Sequence, residues 1–229
     1  MEELTLHLPN DRHVRYGRGD IASLGGADSD GLIIEGAWGF NDLGGFYGGV
    51  ISPLLGVDTG LVRRLCDDNN DQNEHVTLIA LPSTVRESSL KAVVFVPTEL
   101  GRPYQRLATP IFGKPHRDFY YNVVYEALGL LAEFGCTGIA IAGLRGFPQG
   151  HKDIDHCVAE AVAHFALEHL TLRRVVTVSS GPDLSNGIRF FNEHPESIGR
   201  HREVTRLAWT EDQVTRLRID MPHREELGS

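Results

Sequence analysis

One stretch restricts the fold more than any other: Thr137 to Gly150, TGIAIAGLRGFPQG. A short apolar run, Ile139-Ala140-Ile141-Ala142, stops at Gly143, and a glycine-punctuated segment then leads into a long helical pattern. Strand, glycine loop and helix in that order aim backbone N–H groups at an anion, because the first turn of a helix leaves those groups without intrahelical partners. A second glycine-rich stretch, Gly44-Gly45-Phe46-Tyr47-Gly48-Gly49, lies far earlier in the chain. The two loops are expected to form the walls of one cleft.

The periodicity around the opening stretch gives the fold class. Val123, Val124, Ala127, Leu128, Leu131 and Phe134 recur at three and four, which predicts a helix over 119–134, with Asp118 as its cap and Gly135 as its stop. A second helix is expected over 154–170, capped by Asp153, with Val158, Ala161, Val162, Phe165 and Leu170 as its buried stripe. Leu172 to Ser179 reads as a strand, and Gly181-Pro182-Asp183 ends it where an α/β sheet places ligand loops. Helix, strand, helix, strand predicts an α/β fold with parallel strands.

Upstream, Leu4 to Leu8 alternates apolar and polar, Pro9-Asn10-Asp11 is a turn, and His13 to Gly17 is a second strand paired with the first. Leu32-Ile33-Ile34 suits a buried parallel strand. Val76–Leu81 and Ala92–Val96 are strands that form either a hairpin or two neighbours, and Val50–Leu65 has helical character beyond Pro53. Residues 1–192 are expected to form the α/β domain and 193–229 a polar C-terminal extension, with a helix near 210–216 and a strand near 216–221.

Composition excludes several functions. A net charge of −9 leaves no electrostatic footprint for duplex nucleic acid. The three cysteines, Cys66, Cys136 and Cys157, are too widely spaced for a zinc site or a secreted disulfide framework. The N-terminus has no apolar signal core and no run is long enough to cross a bilayer, so a cytoplasmic setting without a membrane partner is expected. The acidic stretch Cys66 to Glu74 misses calcium-loop spacing. His151, Asp153, Asp155, His156 and Cys157 gather at a helix start, where acids serve as cap and dipole partners; no metal and no cofactor are expected. Ser179-Ser180-Gly181 lacks a nucleophile-elbow pattern.

Five pieces in order resemble the macro domain family, which binds ADP-ribose. Gly19-Asp20-Ile21 looks like the family's early GDI, and Asp30 to Ala37, DGLIIEGA, is similar to its DAIVNAA strand. Leu43 to Ile51, LGGFYGGVI, resembles the first phosphate loop. Tyr120-Tyr121-Asn122 with Glu126-Ala127 looks like the helix before the central strand, and Gly143 to Pro148, GLRGFP, is similar to the second phosphate loop. The resemblance covers about residues 14–191 and implies a three-layer α/β/α sandwich around a mixed central sheet, with ADP-ribose at the strand ends.

On that resemblance Asp20 holds an adenine amine beside Ile21. Gly44, Gly45, Phe46, Tyr47 and Gly48 face Gly143, Leu144, Arg145, Gly146 and Phe147 across the pyrophosphate. Arg145 can fork onto phosphate oxygens, Phe147 is a ribose-facing aromatic or a core anchor, and Phe190 or Phe191 would stack on adenine. The family's hydrolytic members carry an Asn pair in NAAN and an Asp in the first loop. Here Glu35-Gly36-Ala37-Trp38 and Gly48 or Gly49 stand at those places, which leaves Asn41 and Asp42 as shifted catalytic candidates.

The leading expectation is binding of ADP-ribose or a related NAD-derived adenine nucleotide, free or on an ADP-ribosylated protein, with weak or no hydrolysis. The first alternative is an ADP-ribosyl or nucleotide-diphosphate hydrolase using Glu35, Asn41, Asp42 and His151. The second is an interaction domain without nucleotide, favoured by Trp38 and Tyr47 filling the cleft mouth.

Overall fold

Two short all-apolar segments set the centre of the molecule. Residues 32–34 and 138–142 are buried throughout, as strands flanked on both sides and covered on both faces must be. The computed structural model describes residues 3–9, 11–19, 29–36, 76–80, 90–97, 117–144, 152–178, 181–198 and 214–218. They form β1 (Glu3–Leu8), β2 (Arg12–Gly19), β3 (Gly31–Gly36), β4 (Val76–Ala80), β5 (Ala92–Pro97), α1 (Arg117–Glu133), β6 (Gly138–Ala142), α2 (Lys152–Glu168), β7 (Arg174–Val178), α3 (Ser185–Glu193) and β8 (Val214–Arg218).

The strands make one eight-stranded sheet in the order β1-β2-β7-β6-β3-β5-β4-β8. β2, β7, β6, β3 and β5 run parallel. β1 is antiparallel to β2, β4 is antiparallel to β5, and β8 is parallel to β4. The expected parallel block within a mixed sheet is therefore present, and β4 and β5 are antiparallel neighbours. The C-terminal strand forms at 214–218 and joins the sheet edge; it overlaps the span expected as a helix, 210–216, and begins two residues before the span expected as a strand.

All three described α-helices lie on one face, with α2 packed between α1 and α3. Ile33, Val94, Ile139, Ile141 and Val175 point into that layer. The alternate residues Leu32, Ile34, Val93, Ala140, Ala142 and Val178 are equally buried on the opposite face. The sheet is thus covered on both sides, as a three-layer arrangement requires. α2 is buried throughout its middle, residues 157–163, because it has a neighbour on each flank. Gly187 of α3 lets the backbones approach closely: a Cβ there would lie 2.4 Å from that of Ala159.

The helix ends follow local chemistry. Gly135 has φ +66, its N–H reaches Ala132 O, and Cys136 N–H reaches Leu131 O. That pair of bonds is a Schellman stop, so Gly135 ends α1 as the sequence predicts. Phe134, expected in the buried stripe, falls past the helix end and is 37% exposed. Leu170 falls past the end of α2 and is exposed as well. The helices begin at Arg117 and Lys152, so Asp118 and Asp153, expected as caps, lie inside the first turns. Arg12 reaches from β2 to the carbonyls of Ala166 (2.6 Å) and His169 (3.1 Å) at the far end of α2. A guanidinium there satisfies orphan carbonyls and opposes the helix dipole.

At the N-terminal edge of the parallel strands one carboxylate ties three of them together. Asp30 Oδ1 accepts from the N–H groups of Thr137 and Gly138, both at 2.8 Å, and Oδ2 accepts from Lys91 Nζ at 2.8 Å. Lys91 Nζ also donates to Gly135 O at 2.9 Å. The Asp30 hydrogen bond holds the Lys91 ammonium above its ordinary value. Burial, reinforced by the Asp30 charge, pushes the adjacent Cys136 thiol to about 12, so it is not a nucleophile at neutral pH.

At the open edge of the sheet, Asn192 of α3 lies against β1. Its Oδ1 accepts from His7 N–H at 2.9 Å and its Nδ2 donates to Thr5 O at 2.8 Å. The side-chain amide takes the place of a neighbouring strand for two residues.

Asp30→Ala should lower stability by about 3 kcal/mol, since it removes the acceptor for two backbone donors and an ammonium. Asp30→Asn, which keeps Oδ1, should cost clearly less. Urea unfolding midpoints at unchanged slope measure both; equal midpoints for Asp30→Ala and the parent chain would show that the junction holds nothing.

Candidate functional site

Register decides where the ligand loops begin. Gly19, Val178, Ala142, Ile34 and Phe95 lie in one row across β2, β7, β6, β3 and β5. The chain leaves the parallel block along this C-terminal edge, the place where open α/β sheets bind ligands. Asp20 and Ile21 follow directly on Gly19, the Asn41 to Gly48 segment follows β3, and the Gly143 to Phe147 loop follows β6.

Of the candidate residues in the two glycine loops and after β2, only Gly143 and Leu144 fall among the described residues. Both have left-handed backbone, φ +78 and +66, immediately after Ala142. Glycine adopts this at no steric cost, but for a leucine it costs about 1–2 kcal/mol. Leu144 is held there by complete burial of its side chain within the helix-side core. The chain thus leaves the central strand in left-handed backbone and carries a buried anchor, not a solvated side chain. Asp20, Ile21, Asn41, Asp42, Gly44, Gly45, Phe46, Tyr47, Gly48, Arg145, Gly146 and Phe147 lie outside the described residues, as do Trp38, His151 and the 50–65 and 66–74 segments.

The turn after β7 is fixed in detail. Gly181 N–H returns to Val178 O at 2.8 Å, and a Cβ on Gly181 would sit 2.9 Å from Ile141 O, so only glycine lets the turn pack against β6. Asp183 Oδ1 accepts from Ser185 N–H at 3.0 Å and opens α3. Asp183 N–H donates to Asp155 Oδ1 at 3.0 Å, and Leu184 N–H donates to Tyr16 Oη at 3.1 Å. Tyr16 Oη is also 2.9 Å from Thr177 Oγ1, and Arg18 Nη1 is 3.2 Å from Asp183 Oδ2. Burial raises the Tyr16 hydroxyl above its ordinary value, partly offset by the Thr177 and Leu184 bonds. Burial pushes the Asp183 carboxyl up, but the Ser185 hydrogen bonds, Arg18 and Tyr16 outweigh it and hold the carboxyl below its ordinary range.

The Gly181-Pro182-Asp183 signal marked this turn in the sequence; Tyr16 and Arg18 were not singled out. Their only trace is the period of two in β2, which puts both on the helix-side face with Thr177.

Of the two aromatics expected to stack on adenine, Phe191 is core and Phe190 is 40% exposed. Phe191 is 2% exposed and packs on His156, ring centroids 5.5 Å apart. Phe190 lies against His156 and His194. Both serve the seating of α3, and Phe191 is core. The cluster at the start of α2 is likewise divided: Asp155 holds the Asp183 turn, His156 faces α3, and Cys157 is buried in the helix layer. Among the described residues no group of three or more His, Cys, Asp or Glu is placed to hold a metal ion, and no helix is long and apolar enough to cross a membrane.

No family model and no curated protein matches the sequence. Solved structures do match the fold. A mutant macrodomain of Oceanobacillus iheyensis is 16% identical, covers 85% of this chain and 100% of its own, and superposes with a TM-score of 0.57. The macro domain of ganglioside induced differentiation associated protein 2 is 18% identical over 79% of this chain and 81% of its own, with a TM-score of 0.51. The Oceanobacillus iheyensis macrodomain solved with ADP is 16% identical over 85% of this chain and 95% of its own, with a TM-score of 0.53. At these identities the likeness is one of architecture, and the chain carries the macro-domain fold in a divergent sequence.

Proposed function

We propose that this chain binds ADP-ribose or a related NAD-derived adenine nucleotide at the C-terminal edge of its parallel strands, with weak or no hydrolysis. The observation that carries the reading is the left-handed backbone at Gly143 and Leu144, at the end of β6 between the ends of β3 and β7. A pyrophosphate seated there meets backbone N–H groups and the N-terminus of α2, which bind anions without lysine. The glycines at 44, 45 and 48 supply the facing wall, and Asp20, next to the end of β2, suits an exocyclic amine. A macrodomain of the same architecture has been solved with ADP and, in a mutant form, with ADPR, which supports the ligand class.

The weak-hydrolysis part rests on side chains. Glu35-Gly36-Ala37-Trp38 offers no asparagine where a hydrolytic site would need one to orient a ribose and a water. Asn41 and Asp42 are the residues through which catalysis would return. An ADP-ribosylated protein is the partner class this implies, in a reducing cytoplasmic setting; Cys136 and Cys157 are buried outside any disulfide. Residues 1–192 are the proposed binding unit, with the following segment contributing β8 to the sheet edge.

Calorimetric titration should give a saturable signal with ADP-ribose, weaker with AMP. No heat and no thermal shift at saturating concentrations would remove nucleotide binding altogether and leave the interaction-domain reading. Gly146→Val should weaken ADP-ribose by at least about tenfold, roughly the loss of one or two backbone hydrogen bonds to a charged group, with little change in melting temperature. Incubation with an ADP-ribosylated protein should release no ADP-ribose; release that Asn41→Ala or Asp42→Ala abolishes would make the chain a hydrolase.

A further inference from the structure

The first hairpin sets two histidines side by side on the face of the sheet away from the helices. Leu6, Leu8 and Val14 enter the helix-side core. The alternate residues His7 and His13 therefore face the other way, and both are exposed. The register places His7 directly opposite His13. We propose that these two imidazoles bind a divalent transition cation of the zinc or copper class between them and so staple β1 to β2.

The hydrogen bonds at the sheet edge say which kind of pair this is. His7 N–H turns outward to Asn192 Oδ1, and Thr5 O turns outward to Asn192 Nδ2. Backbone groups that point away from the partner strand mark a non-hydrogen-bonded pair, in which facing side chains come closest, with Cβ atoms about 5 Å apart. Two imidazoles on such a pair can reach one cation through metal–nitrogen bonds of about 2 Å. Imidazole suits zinc, copper and nickel, and its neutral form offers a lone pair that only a proton, a hydrogen-bond donor or a metal can use. Two protein nitrogens are fewer than a structural or catalytic zinc site supplies, so water fills the remaining positions and the site is open and readily reversible. Arg15 stands next along β2 on the same face, exposed and opposite Thr5. Its charge opposes a cation, weakly because solvent and salt screen it there, and would favour an anion. Arg15 is therefore the residue that tells the two apart. The position gives the site its consequence. β1 is an edge strand that pairs with β2 alone, and a cation held across the hairpin ties the two through side chains as well as through the ladder.

The test uses the full chain, titrated with zinc chloride, copper chloride and, as an oxygen-preferring control, magnesium chloride. Calorimetry gives the affinity, and amide hydrogen exchange is followed at Leu6 and Leu8. His7→Gln and His13→Gln change exposed residues and should leave the metal-free melting temperature unchanged. Zinc or copper should fill one site per chain that either substitution weakens by at least about tenfold, since losing even a ligand's hydrogen-bond partner costs that much. The cation should slow exchange at Leu6 and Leu8 in the parent chain and not in the histidine variants, because it binds only the folded hairpin. Magnesium should do neither, and Arg15→Gln should tighten the cation. Unchanged affinity in both histidine variants overturns the site, whatever else in the chain binds metal. Binding of inorganic phosphate that Arg15→Gln abolishes, with no cation bound through His7 and His13, makes this an anion face and overturns the proposal as well. One cation shared between two chains, or unaltered exchange at Leu6 and Leu8 with the site filled, overturns the staple.

Discussion

The Asp30 carboxylate is the constraint on which the rest of the sheet depends. It takes the backbone donors that start β6 and the ammonium beside the start of β5, while its own chain begins β3. Three parallel strands are thereby held at one end in a single alignment. Strands of near-equal length that start level also finish level, and Gly143 leaves the sheet level with Glu35 for that reason. The C-terminal edge of the parallel strands is set from the opposite end of the sheet. A hydrophobic face alone would fix the strands only to within two residues, since a slip by two preserves which side chains face the core.

Much of this architecture can be read from the sequence because it depends on local patterns. The apolar run 139–142, the spacing of Val123, Ala127, Leu128 and Leu131, and the stop at Gly135 are each short-range signals, and each maps onto its element. The exit of the chain at Gly143 is equally local. The Tyr16 to Leu184 and Arg18 to Asp183 contacts span 168 and 165 residues, and no window of sequence contains both partners. The burial of Phe191, one of the two aromatics expected to stack on adenine, is hidden for a related reason. Its helix turns back over β1, so a distance counted along the chain from the last strand does not say which layer the ring enters. Leu144 in the left-handed region has no sequence signature: a leucine predicts the opposite, and only burial of its side chain makes the conformation tenable.

Binding and chemistry place different demands on such a site. An anion can be held by backbone donors alone, so divergence at most side chains leaves that capacity intact. Hydrolysis needs particular polar groups at particular distances from a reacting atom. The proposed function rests on that difference: the glycine punctuation of the two loops answers the first demand, and the side chains between them do not match the second. The fold likewise persists at 16% and 18% identity to solved macrodomains, where most individual residues differ.

Asn192 bears on assembly. An open β-strand presents alternating donors and acceptors that will accept any other strand of suitable register. On β1 two of these groups are already taken by an amide from the chain's own last described α-helix. A protein seeking to extend the sheet by strand addition would have to displace α3, and with it the turn that opens at Asp183. Association at that edge is therefore mechanically linked to the turn after β7: whatever pries α3 off β1 also loosens the contacts that Asp183 makes with Arg18 and Asp155.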